Sequence, residues 1–246
     1  MRPYLTTLCL FFLFGCSKDK SDPNAKARDI AGSVSVYDEF GVASNDASGV
    51  TVTLNNGTTN LITQTSSNGQ YSFSQVPYGN YNLTASRQGY GINKRFGIQH
   101  VHPQDSANFP LQLSSINITQ LSTTSVTGFN ASATPNGAFD FWVSISPATS
   151  LNQTPRYFRI FAGKDSLVAW DHFDMCTLPV AVTGSGMSGN LQGGLQPADF
   201  PVGSKAWIRI YGDASPNIMY YDSTVSQYAF PCLNPNTQPA VSIVVQ

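Results

Sequence analysis

Hydrophobic residues along this chain recur at every second position, in short runs closed by Gly, Asn, Asp or Pro. Residues 30–37 alternate, 50–54 read Val-Thr-Val-Thr-Leu, and 71–73 and 81–85 follow the same rule. Later runs cover 139–145, 157–161, 167–170, 206–211 and 241–245. A period of two puts one set of side chains on one face of a strand. No stretch of 11–18 residues carries the 3.6-residue period of a helix. The pattern therefore predicts an all-β chain of short antiparallel strands. Asn68-Gly69 supplies the positive φ values of a two-residue hairpin turn. Gly163-Lys164-Asp165 and Asp222-Ser223-Thr224 read as two further turns. Tyr71, Phe73, Tyr81 and Leu83 fall on one strand face and are expected in the core.

Composition sharpens this picture. The chain has 246 residues, of which only 11 % are charged and 12 % are aromatic, with 35 glycines and prolines. Few charges and many aromatics give enough apolar surface for a core and argue against disorder. A net charge of −1 lacks the cationic surplus that phosphate backbones require, so no nucleic-acid partner is expected. The composition changes near residue 113. Trp142, Trp170, Trp207, Cys176 and Cys232 all lie beyond it. Two consecutive antiparallel β-sandwich domains are expected, over 29–113 and 114–246, the second of immunoglobulin or fibronectin kind.

The first residues read as an address. Arg2 precedes an 11-residue apolar run over 5–15, too short to cross a bilayer as a helix and suited to a signal peptide over 1–15. Leu13-Phe14-Gly15-Cys16 resembles the lipobox of bacterial lipoproteins. The resemblance implies lipidation of Cys16 and cleavage after Gly15, hence a membrane partner through a lipid anchor and an outer-membrane, cell-envelope location, surface-exposed or periplasm-facing. Residues 16–28 follow as lipidated Cys and charged tether. Ser17-Lys18-Asp19-Lys20-Ser21-Asp22 is similar to the surface-export tracts of Bacteroidota lipoproteins. The mature chain would carry 12 basic and 14 acidic residues.

The segment after the tether carries a second resemblance. It opens with Gly32-Ser33-Val34-Ser35-Val36-Tyr37-Asp38, then Gly41, then Gly49-Val50-Thr51-Val52-Thr53-Leu54. Thr65, Asn68-Gly69-Gln70-Tyr71-Ser72-Phe73, Val76-Pro77-Tyr78-Gly79-Asn80-Tyr81-Asn82-Leu83 and Gly89-Tyr90 complete it. In order and spacing this resembles the carboxypeptidase regulatory-like domain, with Asn68 in place of the usual Asp and a longer Gly41–Gly49 loop. The resemblance implies a small, non-catalytic seven-stranded sandwich grouped with starch-binding and transthyretin-like modules. No catalytic residue is carried over.

Cys176 and Cys232 form an even pair in a chain read as exported. As a disulfide they would close a loop of about 57 residues, worth on the order of 4 kcal/mol. Two free thiols, or a metal site drawing on residues 171–176 (Asp-His-Phe-Asp-Met-Cys), are the alternatives, although paired zinc-ligand spacing is lacking. His100 and His102 share one face of an extended segment and read as a polar, solvent-facing pair, with a metal site alongside Asp105 as the sharper option. Residues 186–190 miss the Gly-x-Ser-x-Gly pattern at the last position, and no pair of acids stands out. No enzyme, cofactor or metal is expected. Sugar rings stack on exposed aromatics. Trp170, beside Asp171 and His172 at a strand end, is the candidate ligand-binding group, whereas Trp142 and Trp207 sit mid-strand and are expected in the core. The expected function is a membrane-anchored binding module with a polysaccharide as leading ligand. The alternative is a structural or protein-interaction lipoprotein that docks on an envelope protein.

Overall fold

The computed structural model describes residues 26–102, 110–149, 154–192, 194–214 and 218–246. The signal peptide, Cys16 and Asp105 lie outside the described residues. The chain is all-β. Its first half contains β1 (Ala27–Tyr37), β2 (Thr51–Asn55), β3 (Asn60–Gln64), β4 (Gln70–Pro77), β5 (Gly79–Ser86), β6 (Asn93–His100), β7 (Leu111–Gln112) and β8 (Ile116–Thr119). The second half contains β9 (Ser125–Thr134), β10 (Ala138–Ser146), β11 (Arg156–Gly163), β12 (Met175–Cys176), β13 (Val180–Val182) and β14 (Gly186–Leu191). It ends with β15 (Lys205–Asp213), β16 (Tyr220–Asp222), β17 (Gln227–Ala229) and β18 (Val241–Val244).

Two four-stranded sheets face each other in the first half. One is built on β1, which pairs antiparallel with β4 and parallel with β7 and then β8. The other has the order β3-β2-β5-β6. The period-two pattern does what it predicts. Ile30, Val34 and Val36 of β1 meet Val52, Leu54, Tyr71, Phe73, Tyr81 and Leu83 in one buried core. Ile116 and Ile118 of β8 also belong to that core, so it extends past the composition step at 113.

Asn68-Gly69 makes a turn, but not the expected two-residue hairpin. The strands on either side lie in opposite sheets, β3 with β2 and β4 with β1. The turn is therefore a crossing, seated on β1 by the Val34 amide donating to the Gly69 carbonyl at 2.9 Å. Gly69 has φ 78°, and an added Cβ would fall 2.2 Å from the Val34 carbonyl oxygen.

The second half packs a three-stranded sheet, β14-β10-β9, on a five-stranded one, β12-β11-β15-β18 with β13 beside β12 on β11. Phe139, Phe141 and Val143 of β10 face Phe158, Ile160 and Ala162 of β11 and Ala206, Ile208 and Ile210 of β15 in the core between them. The opposite face of β11 and β15 is also buried. There Phe161 and Tyr211 pack with Val168, Phe173, Trp207 and Phe230, all contributed by β11, β15 and the connections that lie over them. Residues 167–170, expected as a strand, belong to this cover. They carry a single bridge, Ala169 to His172, because the chain must turn back over the sheet. Asp222-Ser223-Thr224 opens the β16–β17 hairpin as the sequence predicts.

Arg159 lies in the second buried layer, 1 % exposed. It donates to Asp213 Oδ2 at 2.8 Å and to the Thr177 carbonyl at 2.6 Å. Its guanidinium stacks 5.0 Å from the Phe230 ring centroid. Burial pushes the Asp213 carboxyl above its ordinary pKa, and the guanidinium opposes that shift. Cys176 and Cys232, expected to be bonded, are free thiols in this structure. The Cys232 thiol donates instead to the Thr119 carbonyl at 3.7 Å. Burial raises both thiols, Cys232 to about 12, which leaves them protonated at neutral pH and poor nucleophiles.

The two halves are tied on both sides of residues 120–124. Glu39, 7 % exposed, accepts from the Thr123 amide (2.8 Å) and hydroxyl (2.6 Å) and pairs with Arg156 at 3.5 Å. Lys94 Nζ meets Asp222 Oδ2 at 2.7 Å. The hydrogen bond from Lys94, then that from Thr224, holds the Asp222 carboxyl down to about 2.

Two stability predictions follow from these pairs. Arg159→Met strands the Asp213 carboxylate in an apolar layer and should cost about 3–5 kcal/mol in urea unfolding; the double replacement with Asp213→Leu should cost clearly less. The Asp222 carboxyl has a folded pKa below its unfolded one, so its contribution is present above about pH 4 and fades as the pH falls towards 2. Asp222→Asn should therefore cost about 1–2 kcal/mol at pH 7 and flatten the acid limb of the stability curve between pH 4 and 2.

Candidate functional site

Two of the surfaces that keep large aromatic side chains in contact with solvent also form recesses. The first is a cleft of about 420 Å³ where the two halves meet. Tyr90, Gly91, Ile92 and Leu121 line it from the first half. Trp170, Tyr211, Tyr220, Phe230, Pro231 and Leu233 are among the residues lining it from the second. Trp170 stands at the tip of a tight turn closed by reciprocal backbone bonds between Ala169 and His172, 2.8 and 3.2 Å. A Gln227 side-chain amide donates to the Asp171 carbonyl and holds this tip against the β16–β17 hairpin. Trp170 is 44 % exposed.

Of the three residues proposed from the sequence, only Trp170 lines the cleft. The backbone of Asp171 anchors the turn. His172 faces away and pairs with Asp165 at 3.2 Å. That hydrogen bond is the main reason the Asp165 carboxyl lies below its ordinary pKa. A two-residue turn sends neighbouring side chains in different directions, which sequence adjacency conceals. The cleft is otherwise apolar, and the lining residues with polar side-chain groups are Tyr90, Tyr211, Tyr220 and Trp170.

The second surface is the outer face of the β14-β10-β9 sheet. Trp142, expected in the core, is 50 % exposed there. Its position in β10 has the same parity as exposed Asp140, whereas Phe141 and Val143 face inward. The mid-strand position suggested burial, but the parity of the run decides the face. Trp207 does pack into the second buried layer.

Other chemistry-bearing groups are occupied structurally. His100, read as solvent-facing, is fully buried. It stacks on Tyr78 with centroids 5.0 Å apart, and its Nε2 is bonded to the Val76 carbonyl at 3.1 Å. Burial lowers its pKa, so the neutral imidazole is the resident form. His102 also packs on Tyr78, at 5.5 Å. Among the described residues, no group of three or more His, Cys, Asp or Glu is placed to hold a metal ion. No helix of the described residues is long and apolar enough to cross a membrane.

Comparison with known proteins finds a sequence match for the first part of the chain. No curated protein matches the chain in sequence. Among solved structures, a candidate carbohydrate-binding protein of Bacteroides uniformis is 13 % identical, with 89 % of this chain and 99 % of that one covered and a TM-score of 0.33. A DUF3823 family protein of Parabacteroides merdae is 13 % identical, with coverages of 88 % and 99 % and a TM-score of 0.30. The major pilin subunit of Bacillus cereus is 10 % identical, with coverages of 89 % and 70 % and a TM-score of 0.33. These are too distant to carry a function across. Residues 33–114, however, match the carboxypeptidase regulatory-like domain family, and their strands form the first sandwich around the core predicted from its motifs. This part of the chain is similar to the carboxypeptidase regulatory-like domain.

Proposed function

We propose that the protein is a non-catalytic cell-envelope lipoprotein, anchored to the outer membrane through Cys16, and that its two sandwiches present a binding surface for a glycan. One observation carries the glycan reading: a tryptophan ring is half exposed in the middle of a polar strand face, where folding leaves it uncovered. Indole faces stack on the C–H faces of sugars, and neighbouring hydroxyls and amides bond the sugar hydroxyls.

The non-catalytic part of the reading rests on how the ionisable groups are used. Buried Arg159 and Asp213 pair with each other, Glu39 is consumed by Thr123 and Arg156, and Asp222 by Lys94 and Thr224. Each of these groups is engaged in a structural contact. The matched family is likewise regulatory-like rather than catalytic.

The apolar junction cleft favours a second reading, docking of a protein partner in the envelope. Trp170, Tyr90, Tyr220 and Leu233 would receive apolar side chains there more readily than a sugar.

The test uses residues 17–246, which contain all the strands of the described residues and their buried layers, in native gels cast with amylopectin, pullulan, xylan, α-mannan or laminarin. Retardation in at least one gel is expected. Free migration in all five would remove the glycan reading and leave the protein-docking one. For the anchor, Cys16→Ala in the full chain should move the protein from the membrane to the soluble fraction of expressing cells, and unchanged membrane retention would refute lipidation.

A further inference from the structure

We infer that the open face of the β14-β10-β9 sheet is a saccharide site, with Trp142 as its stacking platform and a neutral oligosaccharide as its ligand. This rests on the glycan reading above and adds where the sugar binds and of what charge. Strand register builds the site. β10 runs in the middle, so each of its outward residues has one neighbour on either side. Asp140 stands between Ser132 of β9 and Asn190 of β14, Trp142 between Asn130 and Ser188, and Ser144 between Gly128 and Gly186. The outward positions thus form three rows of three, with the indole at the centre.

Each row has a distinct role. In the first, the Asn190 side-chain amide donates to Asp140 Oδ1 at 2.7 Å, which fixes a carboxylate and an amide side by side at the rim. Such planar, held groups are suited to the vicinal hydroxyls of a pyranose. The middle row places an amide and a hydroxyl on either side of the ring. The third row contains two glycines, and this lets the ring lie low. A Cβ on Gly128 would fall 3.1 and 3.4 Å from indole carbons of Trp142. The far edge of the benzo ring therefore lies over Gly128, and the indole stays half exposed to solvent.

The space around the indole fits more than one sugar. A recess of about 510 Å³ lies on the Asp140 side, lined by Asn130, Ser132, Asp140, Trp142 and Ser188 among others. A second, of about 430 Å³, lies on the Ser144 side and includes Thr127, Ser144 and Ser185. Trp142 and Ser188 line both. Successive outward rows on a strand are about 7 Å apart, so a chain lying along β10 would place one sugar over the indole and its neighbours in the two recesses.

The charge of the ligand follows from what lines these recesses. No lysine or arginine does so among the described residues, and Asp140 is the charged group. A uronic acid or sulfated sugar would meet a carboxylate with no cation to offset it. A protein partner is disfavoured because the outward neighbours of Trp142 in the sheet are Asn130, Ser132, Asp140, Ser144, Ser188 and Asn190, too polar a surround for the apolar centre of a stable protein interface.

The test repeats the native gels with Trp142→Ala, Asn130→Ala and Trp170→Ala, and adds polygalacturonate. Both variants at the sheet face sit on exposed positions and should keep the wild-type melting temperature. In the gel that retards the wild type, Trp142→Ala should weaken binding about tenfold or more, Asn130→Ala by severalfold, and Trp170→Ala not at all. Polygalacturonate should not retard any of them. Undiminished binding by folded Trp142→Ala, with loss in Trp170→Ala, would overturn the sheet site yet keep the glycan reading. Retardation by polygalacturonate alone would overturn the neutral ligand. Free migration of the wild type in every gel would remove both.

Discussion

The buried ion pair between Arg159 and Asp213 is the contact on which the second half depends. Two charges in an apolar layer are tolerated only as partners, and here each has further bonds: the guanidinium to the Thr177 carbonyl and the Phe230 ring, the carboxylate to the Ala214 amide. Their strands, β11 and β15, are the centre of the five-stranded sheet. Because those side chains point away from the main core, that sheet must be covered on both faces. Long connections rather than a further sheet supply the cover, and they bring Val168, Phe173 and Phe230 over Phe161.

This covering layer sets where the functional surfaces can be. The connections over β11 and β15 also reach the first sandwich, so the junction cleft, with Trp170 on a turn and Tyr220 on a hairpin, is a by-product of sealing the sheet. The β14-β10-β9 sheet needs burial on its inner face alone. Its outer face is left open and polar, and that is where a half-exposed tryptophan can serve a ligand without weakening the core. The short ties between the halves, Glu39 to Thr123 and Arg156 and Lys94 to Asp222, join the sandwich bearing the family motifs to the one presenting this face.

Much of the fold was legible in the chain. Period-two runs placed β1, β2, β4, β5, β10, β11 and β15 and named Tyr71, Phe73, Tyr81 and Leu83 as core, because alternation is imposed locally by the strand itself. Strands lacking that signal were missed. β14 contains Gly186 and Gly189 and reads as a loop; it is a strand because a glycine beside Phe141 admits the ring, with an added Cβ only 2.6 Å from it. β9, rich in Ser, Thr and Asn, has its outer face in water and shows little hydrophobic contrast. The candidate site was legible only in part: Trp170 is exposed as read, yet its sequence neighbours Asp171 and His172 do not share its cleft.

The sequence by itself determined what each residue does to its own backbone: which stretches extend, where Gly69 must turn, and which ordered motifs resemble the carboxypeptidase regulatory-like domain. Tertiary structure decided what lies across from what. Whether Asn68-Gly69 joins two paired strands or two sheets, and whether Trp142 faces the core or water, depends on partners far along the chain. So does the burial of His100, and so does the state of Cys232, whose thiol is engaged by Thr119. Alternation defines two faces of a strand but not which one the rest of the chain will cover. That choice is made by packing, and in this protein it leaves a tryptophan at the centre of an open polar sheet.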